Sequence, residues 1–316
     1  MLKYTIKRII QMAVALVVVL TVVFCLMQMV PGSPVYLMVQ GEDYSPEEIY
    51  QLEVEMGFHD PIWEQYLRYV GGVLKGDWGV SYFTHKPVFE NILDVCEPSI
   101  MMAFCATIVT VVIAVPLGIF SATHRNSPLD YFVTSTSAVS MSVPSMCWGL
   151  LLMYFLAYQL KLFPILGYKS IEKVGFWQSL YFIALPSLAL GLHHVASLAR
   201  LTRSTMLDVL NQDYIRTAKA KGLSQNKIYY KHALKNTLSY VATNIVFSFT
   251  GMLGGSAVTE QVFSIRGMGT LAVDSLSRRD YNQEQAIVLF TAFIALGVTL
   301  LMDLFYKYLD PRIDYE

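Results

Sequence analysis

Long runs of uncharged, mostly apolar residues dominate this sequence, and they restrict it to a chain that crosses a lipid bilayer several times. A helix needs ~20 apolar residues to span the hydrocarbon core. Six stretches meet that need: Ile9–Val30, Pro98–Ala122, Tyr131–Leu160, Phe176–Leu198, Leu238–Thr259 and Gln285–Tyr306. A charge at mid-membrane costs about 2.5–3.5 kcal/mol, against a gain of about 0.3–0.6 kcal/mol per Leu, Ile, Phe or Val. None of the six carries a charge near its middle, and Glu284 and Asp303 bracket the core of the last. Pro116, Pro144, Pro186, Gly251, Gly254 and Gly255 lie inside these runs. They predict kinks and close helix contacts, because neighbouring helices can satisfy the backbone groups they free. Tyr131–Leu160 is longer than one span, with Pro144 near its middle. The 15% charged residues fall well short of the roughly 25% of a soluble domain, beside 54% hydrophobic. The reading is an all-α integral membrane protein of six transmembrane helices.

The start, Met-Leu-Lys-Tyr-Thr-Ile-Lys-Arg, looks like a secretory leader. Ile9–Val30 is nevertheless longer than a leader's apolar core of ~7–15 residues, and no small-x-small site follows, so it reads as a retained first span. Basic residues mark the cytoplasmic side. They gather at Lys3, Lys7 and Arg8, in the loop 199–237, and at Lys307 and Arg312. Six spans bring all of these to one side, with both termini in the cytoplasm and Arg125 also inside. Segment 31–97 then faces outward. It is rich in acids such as Glu42, Asp43, Glu47 and Glu48, and carries Trp63 and Trp78. It reads as a small helical cap with helices near Pro46–Met56 and Pro61–Leu74, each opened by a proline. The expected divisions are 1–30 (tail and first helix), 31–97 (cap), 98–306 (a five-helix core containing the loop 199–237) and 307–316 (tail). Cys25, Cys96, Cys105 and Cys147 lie in or beside apolar runs with no C-x-x-C spacing, which reads as helix packing.

Loop 199–237 is polar, basic and patterned for helix. Asp213 is a suitable N-cap, Tyr214–Lys221 a helical run and Gly222 a stop. A helix of about two turns is marginal alone in water, so packing on its flanks or on a partner must hold it. Ala218 and Ala220 keep its surface small enough to enter a groove, and Lys219 and Lys221 can reach acidic rims.

Asp-Tyr-Ile-Arg-Thr-Ala-Lys-Ala-Lys-Gly-Leu (213–223), followed by Lys-His-Ala-Leu-Lys-Asn-Thr-Leu (231–238), resembles the EAA loop of ABC-importer permeases. More narrowly it resembles the dipeptide/oligopeptide/nickel branch, in particular the first permease of the pair, like oligopeptide permease B. Val-Pro-Gly-Ser-Pro (30–34), Gly-Asp-Trp-Gly-Val-Ser (76–81), Leu-Gly-Gly-Ser-Ala-Val-Thr-Glu-Gln-Val-Phe (253–263) and Leu-Asp-Pro-Arg-Ile (309–313) are similar to that branch too. The resemblance covers essentially the whole chain. It implies the type I ABC-importer permease fold in a bacterial or archaeal cell membrane. It implies that Asp213, Tyr214, Arg216, Thr217, Ala218, Ala220, Lys221 and Gly222 form a coupling helix on a cytoplasmic ATPase. Implied partners are a second homologous permease, two ATPase subunits that bind ATP and Mg, an extracytoplasmic solute-binding protein and the lipid bilayer, with no nucleic acid. Arg216 and Lys235 stand where the general loop often has Glu and Pro, as the peptide branch does. Arg266 and Asn282 stand where that branch tends to have Pro, which leaves the shape of the outer loop before the last helix open.

No G-x-x-x-x-G-K-[ST] phosphate loop is present, so the chain reads as a transport subunit and not an enzyme, with no cofactor of its own. His193 and His194 are adjacent on a helix and point ~100° apart, a poor arrangement for one shared ion; interfacial histidines are expected and no metal site. Met141, Ser145, Met146, Phe249 and Met252 are candidate pathway-lining residues, because Met and Phe repack around varied cargo. The function implied is a peptide-importing permease. A nickel- or metal-chelate permease of the same branch is the alternative. From other classes come an ion-coupled secondary carrier, which needs buried mid-membrane charges and inverted repeats, and an intramembrane protease, which needs a facing nucleophile and base.

Overall fold

The computed structural model describes residues 2–29, 33, 35–36, 39 and 44–309, without the side chains of 2–4 and 305–309. The motifs at 30–34 and 309–313 lie largely outside the described residues, as do Glu42, Asp43 and Arg312; the side chains of Lys3 and Lys307 are not described. The structure is helical. In chain order the helices are α1 (Leu2–Gln28), α2 (Pro46–Glu55), α3 (Ile62–Leu74), α4 (Val88–Thr123), α5 (Pro128–Ser142) and α6 (Ser145–Leu152). Then come α7 (Ile171–Val174), α8 (Phe176–Leu210), α9 (Asp213–Ala220), α10 (Gln225–Lys227), α11 (Leu234–Gly255), α12 (Ala257–Val262), α13 (Met268–Arg278) and α14 (Tyr281–Leu309). Two π-helical stretches, Met153–Gln159 and Ile228–Ala233, interrupt the α-helices. Two compact units emerge: Met1–Cys96 with Met268–Lys307, and a second consisting mainly of Glu97–Gly267.

Among the described residues, α1, α4, α8 and α14 are long and apolar enough to cross a membrane, and the pair Pro128–Ser142 and Ser145–Gln159 makes a fifth if counted as one span. That pair is the expected third span, and it is not straight: its halves meet at 100°. Pro144 removes a backbone donor and biases Val143 away from the helical region; Val143 has φ −88° and ψ 123°. The expected fifth span is α11, with 22 residues. It is long enough but less apolar than the others, because Ser239, Thr243, Asn244, Ser248 and Thr250 dilute it.

In the first unit, α2 opens with a capping box. Ser45 Oγ accepts from the Glu48 amide at 3.3 Å, and Glu48 Oε2 accepts from the Ser45 amide at 2.7 Å. Those hydrogen bonds hold the Glu48 carboxyl below its ordinary pKa. Pro46 sits in the first turn as expected, whereas Pro61 is the residue before α3 and serves as its N-cap. Thr21 and Tyr66 share a hydrogen bond of 2.7 Å, and Phe24 meets the rings of Tyr66 and Tyr69, which ties α1 to α3. Arg8 pairs with Asp303 at 3.3 Å, so that acid of the last helix is matched.

The Gly-Asp-Trp-Gly-Val-Ser segment wraps the start of α14. Asp280 is buried and accepts from Ser81 Oγ at 2.5 Å and from the amides of Tyr82 and Gln283 at 3.3 Å each. Asn282 donates to the Val80 carbonyl at 3.0 Å, which a proline could not do. The unexpected asparagine thus acquires a physical role. Hydrogen bonds to a charged group are worth about 1.5–3 kcal/mol, against about 0.5–1.5 for neutral ones. Asp280→Asn should therefore cost the first unit about 1–2 kcal/mol, seen as faster proteolysis within 79–88; unchanged cleavage would refute it.

In the second unit α8 is central. It packs on both halves of the bent pair and on α11, and 56% of its most apolar stretch is buried. Glycines bring α4 and α8 together. A Cβ at Gly118 would lie 2.7 Å from the Ala199 carbonyl oxygen, and one at Gly191 2.8 Å from that of Ala106. Thr110 Oγ1 donates to the Gly191 carbonyl at 3.0 Å across this contact.

Candidate functional site

Helix α9 is the short helix expected in the polar loop. Its N-cap is Gln212, whose backbone is extended, and Asp213 is the first helical residue, one position later than the cap role expected of it. Asp213 instead accepts from Arg216 at 3.2 Å, one turn on. Its negative charge also suits the positive end of the helix dipole. The helix ends in a paired-bond cap. Gly222 adopts φ +73°, its amide donates to the Lys219 carbonyl at 3.0 Å, and the Leu223 amide donates to the Ala218 carbonyl at 3.3 Å. That left-handed turn is why glycine is required at 222.

The helix is seated through one face. Ile215 is fully buried and Ala218 is 7% exposed. They join Ile119 and Ala122 of α4, Met206 and Val209 of α8, and Ile228 and Ala233 of the second π-helical stretch in one apolar cluster, with Leu223 against its edge. Burying a side chain of Ile size contributes about 1.5–3 kcal/mol, which holds in place a helix too short to persist alone. Tyr214 Oη accepts from Asn236 Nδ2 at 2.7 Å and ties α9 to α11. Ala218 therefore anchors the helix inward and does not face a groove as the loop's pattern suggested. Asp213, Tyr214, Arg216, Thr217, Lys219, Ala220, Lys221 and Gly222 are exposed. The arrangement presents a rigid, mixed-charge ridge on a fixed base. The π-helical stretch beneath it is a geometry found often at functional sites.

The base holds an ion pair absent from the sequence reading, its acid Asp130 buried and its base Arg203 partly exposed. Asp130 accepts from Arg203 Nε at 2.6 Å and Arg203 Nη2 at 2.7 Å, from the Asn126 amide at 3.0 Å and from Ser121 Oγ. Asp130 is 2% exposed. A carboxylate that opens a long uncharged run is the available signal for Asp130, whereas Arg203 is one of several basic residues in the loop 199–237. Glu260 was also passed over. It is fully buried and accepts from Ser99 Oγ and Ser256 Oγ, each at 2.7 Å.

The candidate pathway residues are spread. Met141 and Met146 flank the bend and are exposed, Ser145 and Phe249 are half-buried, and Met252 is buried, where its sulfur accepts from Thr107 Oγ1 at 3.6 Å. His193 and His194 meet edge-on with ring centroids 5.3 Å apart. Among the described residues no three His, Cys, Asp or Glu side chains form a metal-holding group. Among the described residues, which include all four cysteines, no disulfide is formed.

Comparison with known proteins gives a consistent result. Residues 114–315 match the profile of the binding-protein-dependent transport system inner membrane component, and residues 1–103 match the profile of its N-terminal region. The chain is 35% identical to the oligopeptide transport system permease protein AppB of Bacillus subtilis, and the match covers 100% of both chains. It is 32% identical to the dipeptide transport system permease protein DppB of Escherichia coli K12, again over 100% of both. Among solved structures, the inward-facing MetNI methionine ABC transporter superposes with a TM-score of 0.51 at 17% identity, covering 71% of this chain and 96% of that one. That likeness carries the expected type I ABC-permease fold. Family profiles over nearly all of its length, and full-length relatives above 30% identity, mean that this chain belongs to the binding-protein-dependent transport system inner membrane components.

Proposed function

We propose that this chain is one of two permease subunits of an ATP-driven peptide importer, and that Asp213–Gly222 is the helix through which a separate ATPase drives it. The observation that carries this is the seating of α9: one face is buried in the chain's own cluster and the other is exposed and charged. The relatives named for oligopeptide and dipeptide transport support peptide as cargo. On this reading α9 and both termini are cytoplasmic, as the basic loops suggest, and segment 31–97 is outside in a bacterial or archaeal cell membrane. A sister permease completes the pathway, a solute-binding protein delivers cargo, and ATP and Mg act on two partner subunits. Met141, Ser145 and Met146 at the bend, Phe249 on α11, and Met252 only if a helix shifts, line the pathway.

The test is to replace 213–222 by a flexible linker in the assembled complex. Substrate-stimulated ATP hydrolysis should disappear while insertion of the chain continues. Persistent stimulation would end the coupling assignment. Uptake that survives ATP depletion but collapses with an ion gradient would instead favour a secondary carrier.

A further inference from the structure

We propose that Asp130 and Arg203 form the joint that carries movement of the coupling helix to the bent pair α5–α6, which makes them positioning residues for ATP-driven transport. This rests on the reading of Asp213–Gly222 as the ATPase-docking helix.

The geometry is local to the second unit. Ser121 lies between Ile119 and Ala122, two residues of the cluster on which α9 sits. Arg203 lies one turn before Met206, a third member of that cluster. Asp130 belongs to the first turn of α5. Its carboxylate therefore joins α4, the turn at Asn126, α5 and α8 at a single buried point beside the seat of the coupling helix. The Arg203 fork engages both carboxylate oxygens, so it fixes orientation as well as distance. At the far end of α5 comes the 100° bend, flanked by Met141 and Met146. A push on α9 thus reaches α8 and α4 through apolar packing, which can slide. It reaches α5 through a bidentate ion pair, which holds one geometry.

The experiment uses the full complex with its binding protein in proteoliposomes, with labelled trialanine as the probe. Asp130→Asn keeps size but loses charge, and Arg203→Lys keeps charge but loses the fork. Each should lower trialanine moved per ATP hydrolysed by at least ~10-fold, within the range of coupling between linked sites, with ATPase subunits still co-purifying. A merely structural pair would reduce the amount of complex and leave that ratio alone. An unchanged ratio in the assembled Asp130→Asn complex would overturn the proposal.

A second measurement leaves the pair intact. Spin labels at Ser135→Cys on α5 and Ser204→Cys on α8, both exposed, should keep one separation in nucleotide-free and ATP-trapped states, because the ion pair joins these two helices. A change beyond ~2 Å, the scale of ordinary helix shifts, would overturn the joint. The docking premise fails separately, if an ATPase subunit cannot be cross-linked through Lys219→Cys.

Discussion

Replacing Ile215 by aspartate is expected to release helix α9, proposed above as the coupling helix, from its seat and abolish ATP-dependent uptake, while the chain still inserts. Ile215 is fully buried among α4, α8 and the π-helical stretch. The change removes about 1.5–3 kcal/mol of burial and places an unpaired charge in an apolar cluster, which costs several kcal/mol more. Helix α9 has only eight residues and cannot persist on propensity alone. Protease should then cut within 212–223 at a much higher rate. Ile215→Val removes one methylene and should cost only about 0.5–1.5 kcal/mol, with uptake largely kept. Wild-type uptake by the aspartate variant would show that the seat does not matter to transport.

Gly267→Ala should be the most damaging single-methyl addition in the second unit. Its Cβ would stand 2.4 Å from Glu260 Cδ, Glu260 Oε1 and Ser99 Oγ. These atoms cannot step aside easily, because Ser99 and Ser256 hold the Glu260 carboxylate inside the protein. Overpacking typically costs about 1–3 kcal/mol, and displacing a fully buried, hydrogen-bonded carboxylate adds to it. A loss of ~3 kcal/mol or more is expected, read as a lower Tm in detergent. Adding Glu260→Ala should make the pair less damaging than the two changes summed, because the part of the clash made by Glu260 disappears with its side chain and Ser99 Oγ, no longer bonded to it, is free to turn away. Strict additivity would mean that the two residues do not press on each other.

The long helices were legible because hydrophobic length is a local property. So was the short helix α9: an acid at its start, a glycine at its end and alternating alanines and lysines between. Its cap residue was off by one because Gln212, a weak capping residue, takes the extended backbone that Asp213 was expected to take. The inward turn of Ala218 was not legible, since it depends on Ile119 and Ala122, nearly a hundred positions earlier in the chain. The 100° bend was half legible. Pro144 announced a break, but its angle is set by both halves packing on α8. Asp130 and Arg203 escaped notice because a pair separated by 73 positions leaves no mark in periodicity or spacing. The role of Asn282 is not legible in the sequence either, because its amide meets a carbonyl 202 positions away, that of Val80.

The bend in the third span bears on how the protein is made. Its halves, α5 with 15 residues and the run from Ser145 to Gln159, are each shorter than the ~20 residues that a bilayer requires. Neither half can leave the insertion machinery as a stable, independent unit, because the open backbone groups at the break have no partner in lipid. Stable insertion of this element is expected to depend on α8, which receives both halves. A chain truncated before α8 is therefore expected to leave this element unstably inserted, seen as protease access to 128–159 that the full chain denies.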